Sequence, residues 1–323
     1  MSQRALVTGG AGFIGSHLTD RLLNEGWQVD IVDNLLSGYE RNINSSLSSE
    51  SVMIEDFSSN VVINKIKSRS YNYVFHLAAI PRVSYSVENP VLTHETNVTK
   101  TLALVDACKG NIKRFVFASS SSVYGGADVL PTPTTHPKNP KSPYALQKSI
   151  VEDYLKQYWL HYGLDSVSLR FFNVFGPRQL GGSPYSTAVS AWLTAIMSGL
   201  SMRSDGDGSQ TRDLCYVDNA VDACYKASIV SETKGAHYNV SCGDRTSNSE
   251  ILEYLKQRYP EAKWHSAPWR AGDVMHTQAS LEDIKEKLGY VPIVRFWEGL
   301  DRTISWYENN WDVVKNYEAK HVK

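Results

Sequence analysis

The stretch "RALVTGGAGFIGSHL" constrains the chain more than any other: an apolar run, glycines at positions 9, 12 and 15, then an amphipathic stretch. A G-x-x-G-x-x-G spacing between a strand and a helix has a physical reason. The tight turn needs positive φ, and a side chain at these positions would keep a pyrophosphate from the backbone N–H groups at the helix N-terminus. "FIGSHLTDRLLNEG" repeats its apolar residues at helical spacing and ends at Gly26, a fitting C-cap. Asp33 closes the next apolar run, "QVDIVD". A carboxylate there accepts hydrogen bonds from the adenosine ribose and repels a 2′-phosphate, which favours NAD over NADP. Asp56 ends the run "SVMIED", within reach of an adenine edge or as a plain turn residue.

"YNYVFHLA" and "KRFVFAS" continue the series of near-continuous apolar runs, as parallel strands buried on both faces require. "PVLTHETNVTKTLALVDACKG" reads as a second helix, ended by Gly110. The alternation predicts an α/β fold with a Rossmann-like doubly wound parallel sheet and right-handed crossovers. After "SVSLRFFNVFG" the rhythm loosens into Gly, Pro, Ser and Asp clusters around one helix, "STAVSAWLTAIMSGL". "CYVDNAVDACYKAS" and "HYNVS" read as a helix and strand returning to the sheet. The expected division is a nucleotide-binding domain over 1–172 with a returning segment at about 213–242. A smaller C-terminal substrate domain is expected from 173–212 and 243–323.

A net charge of −1 with 21% charged residues argues against a nucleic-acid or membrane surface, which needs a basic excess. The basic tail "KNYEAKHVK" reads as a solvated terminus. Cys108, Cys215, Cys224 and Cys242 show no C-x-x-C spacing, so neither a metal site nor a disulfide framework is expected. No signal peptide and no bilayer-length apolar run stand out, so the expected location is cytoplasmic.

In "SPYALQK", Tyr144 and Lys148 stand four apart and share a helix face. An ammonium beside a phenol favours the phenolate, which makes the pair a candidate acid/base. Tyr259 and Lys263 repeat the spacing in "YPEAK", where a proline directly after the tyrosine ends a helix, so spacing alone does not decide.

Taken with "HLAA" (76–79), "ASSSSVYG" (118–125), "RFFNVFGPRQ" (170–179), "GDGSQTRDLCYV" (206–217) and "WRAGDV" (269–274), these motifs give a resemblance that runs nearly end to end. The chain resembles the extended short-chain dehydrogenase/reductases, specifically the nucleotide-sugar epimerases and dehydratases. The resemblance implies that Tyr144 is the acid/base on a sugar hydroxyl. Lys148 then binds the nicotinamide ribose and lowers the tyrosine pKa, and Ser120 hydrogen-bonds the reacting oxygen. It implies a tightly held NAD along Gly9, Gly12, Phe13, Ile14 and Gly15, with Asp33, Asn34, Ser37 and Gly38 at the adenosine. Asp56 and Phe57 follow, then Leu77, Ala78 and Ala79 along the dinucleotide, with Asn97 near the nicotinamide ribose and Phe172 beside the ring.

For the substrate the resemblance implies Ser120, Ser121, Ser122 and Tyr144 around the sugar, and Asn173 and Arg212 at the diphosphate. Arg270 and Asp273 complete the nucleotide grip. Family dehydratases carry an Asp-Glu pair after the position of Ser120, and related decarboxylases keep the Glu. Ser121 and Ser122 cannot exchange protons as carboxylates do. Oxidation and reduction at one carbon remain, which implies 4-epimerisation through a 4-keto sugar. Thr277 matches the position that gates the sugar pocket, and a small residue there leaves room for an N-acetyl group. The expected substrates are UDP-GlcNAc and UDP-GalNAc, with UDP-Glc and UDP-Gal also possible. The alternatives are another epimerase or a 4-reductase of the same family, or a non-catalytic NAD-sensing module. A homodimer is implied, built on the helix bearing Tyr144 and the one near 92–109.

Overall fold

The computed structural model describes residues 2–81, 83–182, 186–269 and 274–321. Six strands come first in the chain: β1 (Arg4–Thr8), β2 (Gln28–Asp33), β3 (Val52–Ile54), β4 (Tyr73–His76), β5 (Arg114–Ser120) and β6 (Ser166–Phe171). With a seventh, Ala236–Val240, they form one sheet in the order Ala236–Val240, β6, β5, β4, β1, β2, β3. Every pairing is parallel. The order reverses between β1 and β4, where a doubly wound sheet opens a crevice at its carboxyl edge.

Both faces are covered, and this explains the near-continuous apolar runs. Helices α1 (Phe13–Asn24), α2 (Asn60–Lys67), α3 (Val83–Glu88), α4 (Pro90–His94), α5 (Thr101–Cys108) and α6 (Pro143–Tyr162) belong to this half. Ala5, Val7, Val29, Ile31 and Phe75 share one core with Leu18 and Leu22 of α1. Leu6, Val32, Val74, Phe115 and Phe117 share the other with Val62 of α2, Leu104 of α5 and Val151 of α6. Strand neighbours thus alternate between two cores, each large side chain contributing about 1.5–3 kcal/mol by burial.

Beyond β6 the chain builds short ladders: Val174–Phe175 with Cys215–Tyr216, Thr211–Arg212 with Thr246–Ser247, and Met202–Asp205 with Trp264–Ala267. Helix Val217–Ile229 packs on α1, and Ala236–Val240 then extends the sheet beside β6. The last helix, Phe296–His321, packs on Ala188–Met197.

Three details depart from the sequence reading. The single helix expected over 90–110 is α4 and α5 joined by a π turn, Glu95–Lys100. Such turns insert one residue and cluster at functional sites. "SVMIED" pairs only over Val52–Ile54, because β3 lies at the sheet edge with β2 as its one partner. Helix α2 was not expected. Its signals are Ser59, whose hydroxyl accepts from Val62 N, and the buried Val62 and Ile66 one turn apart.

Candidate active site

The carboxyl ends of β1, β4, β5 and β6 lie side by side, and the candidate residues follow from what each strand delivers there. After β1 the chain turns at Gly9, with φ +72°, and its N–H donates to Val32 O. A Cβ on Gly9 would stand 2.9 Å from Ala78 N, and one on Gly15 only 2.0 Å from Gly9 O. The turn therefore closes on itself and on the loop after β4, as a cradle for a diphosphate at the N-terminus of α1 must. Phe13, Ile14 and Gly12 open that helix, half-buried. Leu77, Ala78 and Ala79 run beside the cradle, with Ala78 N donating to Thr8 Oγ1.

Asp33 ends β2 buried, its carboxylate accepting from Ala11 N at 3.0 Å and Leu35 N at 2.8 Å. Burial raises its pKa, and these donors oppose the rise. Gly38 presses on it, since a Cβ there would come within 2.7 Å of Asp33 Oδ1. Asn34 and Ser37 are exposed around this carboxylate. The glycine cradle and this fixed acid fit an adenine dinucleotide. Asp33→Ala removes the acid and loosens the 34–38 turn. We expect the NAD dissociation constant to rise about tenfold, equivalent to about 1.4 kcal/mol, with calorimetry as the check.

Asp56 and Asn97 both have partners within the protein. Asp56 accepts from Lys100 Nζ at 2.6 Å and from Ser58. Burial opposes ionisation, but the Lys100 ammonium outweighs it and the pKa falls. Asn97, in the π turn, accepts from Ile80 N and donates to Ile80 O and to Gln147 Oε1 on α6. Its amide pins the end of the "HLAAI" loop to α6. Phe57 is buried with its ring 4.8 Å from that of His76. Phe172 is buried beside Tyr124 and donates its N–H to Val240 O.

The candidate acid/base pair lies on α6, capped by Ser142 and started by Pro143. Tyr144 and Lys148 both face inward, 9% and 4% exposed. Ser120, at the end of β5, lies close enough to the Tyr144 phenol to lower its pKa. Ser120 Oγ accepts from Ser122 N at 3.2 Å and Ser122 Oγ at 2.9 Å, which leaves its own proton for another partner. Ser121 and Ser122 open the half-buried turn that follows. Lys148 Nζ donates to Ala118 O at 2.7 Å and lies 5.8 Å from the Tyr144 ring centroid. Burial pushes Tyr144 up to about 12, against the effect of Ser120, and pulls Lys148 down to about 7, against Glu152. The expectation that Lys148 lowers the tyrosine pKa is therefore not met within the protein alone. Desolvation penalises both charged forms more than the pair attracts. Tyr259 has none of this setting; it caps Asn248–Arg258 and donates to Glu308 Oε1 at 2.7 Å.

The residues expected on the substrate side come from separate segments. Arg212 Nη1 donates to Thr211 O and Met275 O, which ties it to the 274–277 segment. Thr277, half-buried, donates its N–H to Thr211 O and accepts from Asp213 N. Asn173 is half-buried and accepts from Cys215 N. Val274 meets the turn after Ser120, because a Cβ on Gly126 would stand 2.8 Å from Val274 Cγ1. Arg270 and Asp273 lie outside the described residues.

Sequence reasoning missed Asp213. Fully buried, it accepts from Ser241 Oγ, Cys242 N, Gly243 N and Ala279 N, joining three segments behind Arg212 and Thr277. Burial pushes its carboxyl up to about 7, against those donors. Its one signal was an acid directly after Arg212 in "TRDL". Among the described residues no group of three or more His, Cys, Asp or Glu side chains could hold a metal. No helix there is long and apolar enough to cross a membrane, and the four cysteines are buried free thiols.

The model of the NAD dependent epimerase/dehydratase family matches residues 5–241. A putative UDP-glucose 4-epimerase of Methanocaldococcus jannaschii is 36% identical, over 94% of this chain and 98% of the relative. The structure of a UDP-N-acetylglucosamine 4-epimerase from Methanobrevibacter ruminantium, in complex with UDP-N-acetylmuramic acid, is 35% identical. It superposes with a TM-score of 0.89, covering 96% of this chain and 99% of that one. A UDP-glucose 4-epimerase from Thermus thermophilus, in complex with NAD, is 33% identical with a TM-score of 0.86, covering 95% and 99%.

Proposed function

Because the chain belongs to the NAD dependent epimerase/dehydratase family, we propose that it is a nucleotide-sugar 4-epimerase. Its proposed substrates are UDP-GlcNAc and UDP-GalNAc, with UDP-Glc and UDP-Gal turned over as well. The observation that carries this reading is the strand-end turn. Ser120 lies beside Tyr144, and the two positions after it are Ser121 and Ser122 rather than carboxylates. Neither serine can move a proton at C5 or C6 as a carboxylate would, which leaves oxidation and reduction at the carbon whose oxygen Tyr144 holds.

NAD, when bound, supplies a hydride acceptor and a positive ring charge beside the phenol. The chain's own residues do the rest. As the phenolate, favoured by the Lys148 ammonium and the cofactor's ring charge, Tyr144 takes the proton of the C4 hydroxyl. As the phenol it later returns that proton, while the Ser120 hydroxyl holds the oxygen between those events. Lys148, fixed by Ala118 O, offers its ammonium when the phenolate forms. Arg212 and Asn173 hold the diphosphate, with Arg270 and Asp273 proposed beside them. Thr277 leaves volume at C2. The sugar turns over while its diphosphate stays fixed.

Purified protein given UDP-, GDP- and dTDP-sugars should interconvert C4 epimers of the UDP-sugars without consuming NAD. Product chromatography with absorbance at the reduced-cofactor band makes the test. Net NADH consumption would favour a 4-reductase of the family, and inactivity on all substrates would favour NAD sensing. The homodimer reading is supported by one face of α3, α4 and α6. There Val87, Val91, Leu92 and Leu146 are exposed at 61%, 82%, 51% and 49%. Sedimentation should give twice 36.1 kDa.

A further inference from the structure

One turn beyond Lys148 on α6 lies Glu152, so Tyr144, Lys148 and Glu152 stand at i, i+4 and i+8 on the buried face. Glu152 is 5% exposed. Its Oε1 accepts from Ser119 Oγ at 2.6 Å and from Arg170 Nε at 2.9 Å, and its Oε2 accepts from Arg170 Nη2 at 2.7 Å. Ser119 stands opposite Arg170 in the β5–β6 register. It also lies between Ala118, whose carbonyl receives Lys148, and Ser120, which lies beside Tyr144. One carboxylate therefore joins the helix that carries the acid/base pair to the strand end that carries its partner.

A buried ion pair is a poor device for stability alone, since apolar residues of similar volume do as well or better. Its place beneath Lys148 calls for another reason. We propose that Glu152 is a positioning residue for the acid/base pair: clamped by Arg170 and Ser119, its carboxylate keeps Lys148 charged and aimed at Ala118 O beneath Tyr144. This rests on the acid/base reading of Tyr144 and Lys148 given above.

The surrounding charges leave that role to Glu152. Lys148 faces Tyr144 on its own helix and His76 on β4. His76 is neutral, since burial lowers it to about 3 and its nitrogens lie 2.7 Å from Thr8 Oγ1 and 2.9 Å from Thr101 Oγ1. Glu152 faces Arg170 on β6, His237 on Ala236–Val240, and Lys138, whose Nζ is 3.9 Å away. Burial lowers His237, so it carries no charge at neutral pH. Lys138 is engaged with Asp153 at 2.5 Å. Tyr124, 2.8 Å from Arg170 Nη1, is pushed up by burial and stays a neutral donor to Asn239. Burial works against the Glu152 carboxylate, but Arg170 outweighs it and holds the group ionised.

The test uses the full chain labelled with 13Cε lysine, the Lys148 resonance being assigned by its loss in Lys148→Arg. In Glu152→Gln the Lys148 titration midpoint should fall by about one to two pH units, the size expected for losing one anion nearby at an effective dielectric of about 20. That variant leaves Arg170 unpaired and can fold poorly. The Glu152→Gln/Arg170→Gln double variant replaces the ion pair by a neutral hydrogen-bonding pair and should show a smaller fall, because the guanidinium leaves with the carboxylate. The alkaline limb of the rate–pH profile should move to lower pH with it, and Glu152→Asp should recover part of both shifts. A Lys148 midpoint unmoved in each of these variants that folds overturns the proposal, even if turnover drops. A wild-type protein inactive on every nucleotide sugar would instead overturn the catalytic reading, while the titration still decides this one.

Discussion

Tyr144→Phe should lower turnover about 100-fold or more while leaving the fold and diphosphate binding nearly intact. The phenol hydroxyl is the group placed against Ser120, and the ring keeps its packing when that hydroxyl is removed. General acid–base catalysis contributes about 10²- to 10⁴-fold, and no other group in the Ser120–Ser122 turn can exchange a proton in its place. Turnover of each epimer pair and a UDP-binding isotherm separate chemistry from binding. Tyr259→Phe is the matched control and should leave the rate unchanged, since Tyr259 bonds Glu308 at the far end of the molecule. A variant lacking the Tyr144 hydroxyl that kept near-wild-type turnover would defeat the mechanism.

The second large effect is one of selectivity. Thr277 is half-buried, and its hydroxyl is held by Asp213 N, so its side chain has a fixed direction beside the strand of Arg212. If that direction borders the C2 substituent, Thr277→Tyr puts a ring where an acetamido group must sit once the sugar has turned over. Overfilling a packed site costs about 1–3 kcal/mol, or roughly 5- to 150-fold. The loss should fall on kcat/KM for UDP-GlcNAc and UDP-GalNAc and spare UDP-Glc and UDP-Gal. Equal loss on both pairs would mean general damage, and no loss on either would put Thr277 outside the pocket.

The parts of this molecule that could be read from sequence are those where one residue answers one local demand. Gly9 and Gly15 cannot carry a Cβ without striking backbone, and apolar runs such as "RALVT" must be buried on two faces. Tyr144 and Lys148 share a helix face by spacing alone. What stayed hidden depends on distant partners. Nothing near Asn97 in sequence announces that its amide is consumed by Ile80 and Gln147. Likewise Asp56 is claimed by Lys100, 44 positions on. Asp213 and Glu152 are ordinary acids on paper. They acquire meaning only when folding removes their water and surrounds them with donors from other segments. The sign of the Tyr144 and Lys148 shifts was hidden for the same reason, since desolvation is set by the whole packed volume around a group.

The strand Ala236–Val240 has a consequence for how the molecule comes apart. The chain leaves the sheet after β6, builds the ladders that carry Arg212, and then returns to close the outer edge of β6 itself. One continuous core accordingly runs from Val7 and Ile31 through Val221 to Leu300 and Tyr307. We therefore expect heat or denaturant to unfold the two parts together, with one calorimetric transition as the check. Any free energy gained where a dinucleotide touches Gly9, about 2.7 kcal/mol at a hundredfold excess over its dissociation constant, is then shared by the whole molecule. The helix Phe296–His321, which supplies none of the residues assigned to the dinucleotide, is protected by it all the same.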